Sequence, residues 1–274
     1  MKKILALFMS ALLFLSVAAC GNTGTEKTGI TSPDDLDGKK VAVQMATTAD
    51  DYLTELVESG RDIEILRYEK VTQCFDDLKF KRVDAVLVDR VVASYYMGDN
   101  STSEIVWKND EGEPMAICLK KRNDKLTEAV EKAIDTLYYN GKIGELAEKH
   151  FGDNYTEGLR NVTQEPVIDK EGFTLVEEGK FKVGMEVGYP PMEYFAADGV
   201  TQTGFDVDIS KEIAELLGLE LEIVDVAWDG IFAGLDTNKY DAVISSVSIT
   251  PERLEKYNLT DAYVSNQLVL VVNK

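Results

Sequence analysis

The chain has 274 residues, 45% hydrophobic and 28% charged, enough for two lobes of ordinary size and the composition of a folded globular protein. Its formal net charge is −20, from 49 acidic and 29 basic residues, and a surface so acidic excludes nucleic acid and anionic lipid heads as partners. The single histidine, His150 in EKHFG, has no second histidine or cysteine pattern near it and reads as a packing residue near a helix end. No metal and no cofactor is expected.

Residues 1–19 read as a secretion signal: Lys2 and Lys3, the apolar run Ile4 to Leu15, then Val17-Ala18-Ala19 before Cys20. Small residues directly before a cysteine resemble a bacterial lipobox, which implies cleavage before Cys20 and a lipid on its sulfur. A membrane-spanning anchor is the alternative, but the run is short for a bilayer. Residues 20–33 are polar and Gly/Thr-rich and suit a flexible tether. Cys74 and Cys118 sit in apolar settings and read as buried thiols, with one bridge an alternative in an exported chain.

A turn at Asp34 to Gly38 precedes the strand Lys39 to Gln44. Thr48 with Asp51 forms a T-x-x-D capping pattern that opens a helix from Ala49 to Val57. A strand at Ile63 to Tyr68, a helix at Val71 to Leu78 and a buried strand at Val83 to Val88 follow, the last ending at Asp89. A helix from Val91 to Met97, a strand from Pro114 to Leu119, and helices at Leu126 to Tyr139 and Ile143 to His150 complete this half. Residues 154–173 lack a strong period and read as a linker. The second half has strands at Lys180 to Met185 and Leu219 to Val224, helices at Phe205 to Leu217 and Gly230 to Leu235, and a final strand at Leu268 to Val272. Strands alternating with helices predict an α/β fold with mainly parallel sheets, and ligands sit outside the C-terminal ends of such strands. The halves echo one another: Leu78, four residues, then Val83-Asp84-Ala85-Val86 matches Leu235, four residues, then Tyr240-Asp241-Ala242-Val243.

The stretch Tyr240 to Arg253, YDAVISSVSITPER, is the most informative. A buried strand ends in Ser245, Ser246 and Ser248, and Thr250 then reads as the N-cap of a helix with Pro251 first and Glu252 in its first turn. Arg253 lies one turn in, where its planar fork suits a carboxylate. This is either a carboxylate-binding corner or a surface turn whose arginine pairs with Glu252 or Glu255.

GYPPMEYFAADGVTQTGFDVDISKEIAELLG, followed by WDGIFAGL, YDAVISSVSITPER and NQLVLVV, resembles the first lobe of a type II solute-binding protein for polar amino acids, the receptor of an ABC importer. DLDGKKVAVQMATTADDYL, VDAVLVDRVVASYY and GKIGELAEKHFG resemble that family's second lobe and C-terminal helices. The order is reversed relative to the family, so the chain reads as a circular permutation. Its expected parts are residues 34–117 as lobe 2, 118–153 as a return strand and helices packing on lobe 1, 154–173 as the permutation linker and 174–274 as lobe 1. Permutation is tolerated where the old ends are close and the new cut exposed. A swapped dimer is the alternative to a monomer.

The resemblance implies a site. Arg253 matches the carboxylate-binding arginine, and Thr48, next to Thr47, matches the threonine that reaches the same carboxylate from the other lobe. Asp89 matches the aspartate that takes the ammonium, with Ser246 and Ser248 offering oxygens nearby. Tyr189 matches an aromatic that stacks on the ligand, and Trp228 is a plausible second wall. Glu186 matches a position that is acidic in binders of basic amino acids. Plainer readings stay open: Thr48 and Asp89 as helix caps, Tyr189 and Trp228 as packing, Glu186 as a solvated strand-end charge. Ala46 stands where the family usually has glycine, and its methyl is expected to narrow that end of the site.

The expected function is an extracellular, lipid-anchored receptor that binds a free polar amino acid, with Glu186 admitting a basic one. It passes the ligand to the permease subunits of an ABC importer and is not an enzyme. The alternatives are a ligand-sensing module for a receptor protein and a dehydratase-like enzyme on the same fold.

Overall fold

The computed structural model describes residues 29–98, 101–153 and 155–274. The expected signal peptide, Cys20 and most of the tether lie outside these residues. Among those described, no helix is long and apolar enough to cross a membrane.

The first half opens with a 3-10 turn at Pro33–Asp35 and continues through β1 (Lys39–Gln44), α1 (Thr48–Glu58), β2 (Ile63–Tyr68), α2 (Val71–Lys79), β3 (Ala85–Asp89), α3 (Arg90–Tyr96) and β4 (Ser103–Lys108). Then come β5 (Cys118–Lys120), α4 (Asp124–Tyr139) and α5 (Lys142–Phe151). The second half holds β6 (Lys180–Met185), the short β7 (Tyr194–Phe195) and β8 (Gln202–Thr203), α6 (Phe205–Leu217), β9 (Glu220–Asp225), α7 (Ile231–Asp236), β10 (Ala242–Val243), α8 (Pro251–Lys256), β11 (Tyr257–Leu259) and β12 (Leu268–Asn273).

These elements build two lobes, each on its own five-stranded sheet, in the orders β2-β1-β3-β12-β4 and β11-β5-β10-β6-β9. Each sheet has a core of three parallel strands, extended at one side by two strands through successive antiparallel pairings. Helices cover the sheets by burying apolar stripes. On α6, Phe205, Val207, Ile209, Ile213 and Leu217 are all buried, each worth about 1.5–3 kcal/mol relative to exposure.

The sequence echo between the halves is a structural repeat. Asp84 exchanges two bonds with Lys40 of the neighbouring strand: its amide donates to the Lys40 carbonyl and its carboxylate accepts from the Lys40 amide, both at 2.8 Å. Asp241 makes the same two bonds with Lys182, again at 2.8 Å. A strand-entry aspartate thus closes the same register in both lobes.

The last strand departs from the expected boundary. β12, counted above with lobe 1, pairs with β3 and β4 of the first sheet, while β5 of the first half joins the second sheet. The chain therefore crosses between sheets twice, at residues 109–117 and 260–267. The crossings run side by side, joined by Glu113 N–H to Asn266 O at 2.8 Å and Met115 N–H to Val264 O at 2.9 Å. These paired crossings are the segments in which a hinge motion between the lobes would be absorbed. Helices α4 and α5 pack on α6, so the second lobe takes helices from both halves.

Other departures have local causes. The strand expected from Pro114 begins at Cys118, because Met115 makes isolated bridges to Ser248 and Val264 in the crossing. β4, β7, β8 and β11 went unforeseen; all but β4 are two or three residues long, and none of the four has a clean apolar alternation. The linker stretch has no helix or strand among its described residues, yet Arg160 fixes it. Its side chain is 5% exposed and bonds Glu131, Asp135 at 2.8 Å and the backbone carbonyls of Asp261 and Ala262. Cys74 and Cys118 are free and buried. His150, read as packing, is nearly buried and bonds Asp208 of α6 at 2.8 Å.

Candidate functional site

The parallel strands of both sheets end at one cleft. β1 delivers Gln44 and the turn Ala46-Thr47-Thr48, β3 ends at Asp89, β6 runs into Glu186 and Tyr189, and β10 into Ser245, Ser246 and Ser248. Between them lies a nearly closed cavity of about 30 Å³, room for about one or two water molecules, so an amino acid enters only when the lobes part. All nine expected residues line it: Thr47, Thr48 and Asp89 from the first lobe, and Glu186, Tyr189, Trp228, Ser246, Ser248 and Arg253 from the second.

Arg253 is set by its helix. Thr250 caps α8 as expected, its hydroxyl accepting the Arg253 amide at 3.2 Å, and Pro251 starts the helix. The guanidinium lies over two rings, 5.1 Å from the Phe232 centroid and 5.6 Å from that of Trp228, and Nη1 donates to the Ser248 carbonyl at 2.9 Å. It does not pair with Glu252, which bonds Lys256 at 2.7 Å, and among the described residues it has no ion pair. Burial pulls its pKa down, against the charges of Glu113, Asp51 and Asp89. An arginine so placed retains donors for an anion.

The cap of α1 is Thr47, one residue before the expected Thr48. The Thr47 hydroxyl accepts the Asp50 amide at 3.2 Å and donates to the Gln44 carbonyl at 2.8 Å. Thr48 is the first helical residue, and its hydroxyl bonds nothing within the described chain. The offset arises at Ala46, whose φ of 59° turns the backbone left-handed. For alanine this costs about 1–2 kcal/mol, which is the physical reason a glycine suits the position. The expected narrowing by its methyl does not occur, since Ala46 is exposed and lies outside the cavity lining. Its carbonyl instead accepts the Trp228 indole N–H at 2.8 Å, a bond across the cleft.

Asp89 makes no side-chain cap to α3. Its Oδ2 accepts the Tyr189 hydroxyl at 2.5 Å and its Oδ1 the Asn266 amide at 2.6 Å. Burial and the neighbouring Glu113 charge push its pKa to about 8, against the pull of these bonds. Glu186 is 3% exposed, not solvated, and accepts from Gln44 Nε2 of the other lobe at 2.6 Å. Burial lifts it to about 7, opposed by Gln44 and the Lys70 charge. Ser246 also has a left-handed backbone, with φ of 51°, and its buried hydroxyl has no partner. An unsatisfied buried hydroxyl costs about 1–3 kcal/mol, so a ligand group placed there would stabilise the site.

Ser245, expected in the serine cluster, lines the cavity, and Gln44, Glu193 and Asn266 belong to the site or its immediate support without having been foreseen as such. Gln44 and Ser245 carry the signal that found Asp89, a polar residue directly after a buried strand; Glu193 and Asn266 lie in irregular segments with no such mark. The site as a whole offers a cation and a free hydroxyl on one side and buried carboxyls on the other. That set matches a zwitterion, whose two charges must both be met on burial.

Residues 181–274 match the model of the bacterial extracellular solute-binding proteins, family 3. The chain is 37% identical over 132 residues to the L-cystine-binding protein TcyJ of Escherichia coli (strain K12), covering 48% of this chain and 44% of that protein. It is 35% identical over 95 residues to the ABC transporter arginine-binding protein 1 of the same organism, covering 35% and 39%. Among solved structures, the arginine-bound domain 1 of TmArgBP shares 39% identity, with 35% of this chain and 81% of that chain covered at a TM-score of 0.31. The unliganded, open L-cystine solute receptor of Neisseria gonorrhoeae shares 34% identity, with 29% and 34% covered at a TM-score of 0.27. The chain thus spans less than half the length of the curated relatives it is similar to.

Proposed function

We propose that this chain is an extracytoplasmic receptor that closes its two lobes on one free polar amino acid and presents it to the permease of an ABC importer. The observation that carries the reading is the convergence of nine residues, taken from both lobes, on one cavity with an arginine lacking an ion pair on one side and Asp89 on the other. Arg253 and the Thr48 hydroxyl take the ligand carboxylate, Asp89 its ammonium, and Tyr189 and Trp228 flank it. Glu186 then remains for a second cationic group, which fits an amino acid with a basic side chain or one with two ammonium groups. The cystine- and arginine-binding relatives support both.

The same reading includes the lipid anchor on Cys20 and the circular permutation. The permutation is supported by β5, α4 and α5, which precede β6 in the chain yet join the lobe built on β6, β9 and α6. One chain supplies both sides of the cleft, so a monomer suffices for binding. Asp89 and Glu186, both pushed toward neutral pH, would also suit acid–base work, so conversion of a bound amino or keto acid is the reading to be distinguished from simple binding.

A thermal-shift screen of the twenty amino acids and L-cystine tests the proposal, because a ligand that binds only the folded state raises the melting temperature. A shift with one or a few of them is expected. No shift with any would refute it, and chemical change of the bound molecule would favour the enzyme.

A further inference from the structure

At the floor of the cavity lie two carboxyl groups to which the binding reading gives no role, Glu193 in its lining and Asp206 behind it. Glu193 is 1% exposed and Asp206, in the first turn of α6, is fully buried. Asp206 takes a donor on each oxygen: the Tyr263 hydroxyl on Oδ1 and the Ser246 amide on Oδ2, both at 2.8 Å. Glu193 Oε1 accepts the Ser245 hydroxyl at 2.5 Å, and the Ser245 oxygen in turn accepts the Glu186 amide at 3.1 Å. Glu193 Oε2 has no donor directed at it. The two carboxyls lie close enough to interact directly, bracketing the Ser245-Ser246 turn from either side.

Two carboxylates cannot hydrogen-bond without a proton between them. Counting donors places it. Asp206 already receives two and keeps the charge; Glu193 receives one, so a proton on its Oε2 satisfies that oxygen and makes the bond. Burial raises both groups, Asp206 to about 6 and Glu193 well up, with the Asp206 charge adding to the rise at Glu193. The other groups facing the pair are Tyr263 ahead of β12, His150 of α5, whose ring is held by Asp208, and Glu186 at the end of β6. Among the described residues neither carboxyl has an ion pair with a lysine, arginine or histidine that would replace the proton.

The bonds of this pair end on the serines of the cavity. Ser246 holds a left-handed backbone unusual for serine, and the bond of its amide to Asp206 opposes relaxation of that turn. Its partnerless hydroxyl belongs to a residue of the cavity lining.

We propose that Glu193 and Asp206 share one proton and act as a positioning pair for the binding floor, Asp206 fixing the Ser246 backbone and Glu193 fixing Ser245, so that the Ser246 hydroxyl is presented to the ligand. This rests on the receptor reading for its purpose but not for its test. Neither residue need touch the ligand. Loss of the proton sets two charges side by side and frees the turn.

The decisive measurements use the ligand-free full chain. Infrared difference spectra between wild type and Glu193→Gln at neutral pH are expected to show a protonated carboxyl band in the wild type only. The Ser246 amide resonance is expected to move in Asp206→Asn and in Glu193→Ala, and to return toward its wild-type position in Glu193→Gln, which restores a donor and an acceptor. No protonated band, or a Ser246 amide unmoved by Asp206→Asn, overturns the proposal. If Glu193→Ala does not fold, the wild-type band and the Asp206→Asn resonance decide it. With L-arginine and L-cystine as calorimetric probes, Glu193→Ala is expected to weaken binding about tenfold or more and Glu193→Gln to recover most of that loss. Equal losses contradict positioning. Wild type that binds no amino acid refutes the receptor reading, and the two spectra still decide the pair.

Discussion

The Tyr189 hydroxyl donates to Asp89 Oδ2 at 2.5 Å across the cleft, so the carboxyl assigned to the ligand ammonium is already bound to the opposite lobe. This bond and the Gln44–Glu186 and Trp228–Ala46 bonds join the lobes across the cleft. Tyr189→Phe should remove one buried bond and lower the stability of the ligand-free protein by about 1–3 kcal/mol, read from the urea midpoint. An unchanged midpoint would mean that the contact contributes nothing.

Protonation of Asp89 gives a second expectation. Its pKa rises from 3.8 to about 8 in the ligand-free fold, so at pH 7 it is mostly protonated. An ammonium placed beside it favours the charged form and expels the proton. Binding at pH 7 should therefore release protons, seen as a calorimetric enthalpy that varies with buffer ionisation. The same shift has a stability sign: the folded state holds the proton more tightly than the unfolded one, so ligand-free stability declines as pH climbs from about 4 towards about 8. Asp89→Asn should flatten that decline. Proton uptake on binding would contradict the assignment.

Ala46 carries left-handed strain in order to aim its carbonyl at Trp228. Ala46→Gly relieves about 1–2 kcal/mol of it, offset by the greater freedom of glycine in the unfolded chain, about 0.4–1 kcal/mol. A net gain of about 0.5–1 kcal/mol in denaturant unfolding is expected, and a loss of stability would show that the strain is absent.

Arg160 tests the linker. Its nearly buried guanidinium joins two carboxylates of α4 to the backbone at 261–262. Arg160→Met should cost about 2–4 kcal/mol, less than for a fully buried pair because Glu131 and Asp135 are partly exposed. Limited proteolysis should then cut within residues 155–179 sooner than in wild type. Equal cleavage rates would show that the linker does not depend on this anchor.

What the sequence conveyed depended on length and regularity. α6, β1, β2 and β6 were legible to the residue, because their apolar periods are clean and Gly218 stops α6. The corner at Thr250 to Arg253 was legible because capping chemistry is local. The one-residue offset at Thr47 was not, since it follows from a left-handed alanine, which no propensity marks. β12 was placed in the wrong sheet because a buried strand gives no sign of its partner, and its pairing is settled by the crossing beside residues 109–117. Gln44 carried a readable mark at the end of β1 but not its partner, Glu186, 142 residues away, and Glu193 carried no mark at all, its partner Ser245 lying 52 residues away.

The central claim is that an amino-acid carboxylate rests on Arg253 between the lobes. It is tested most directly by calorimetric titration of wild type and Arg253→Ala with the amino acid that most raises the melting temperature. The account predicts saturable binding to wild type and a loss of at least about tenfold, roughly 1.5–3 kcal/mol, in the variant. Equal affinity in the two proteins would contradict it.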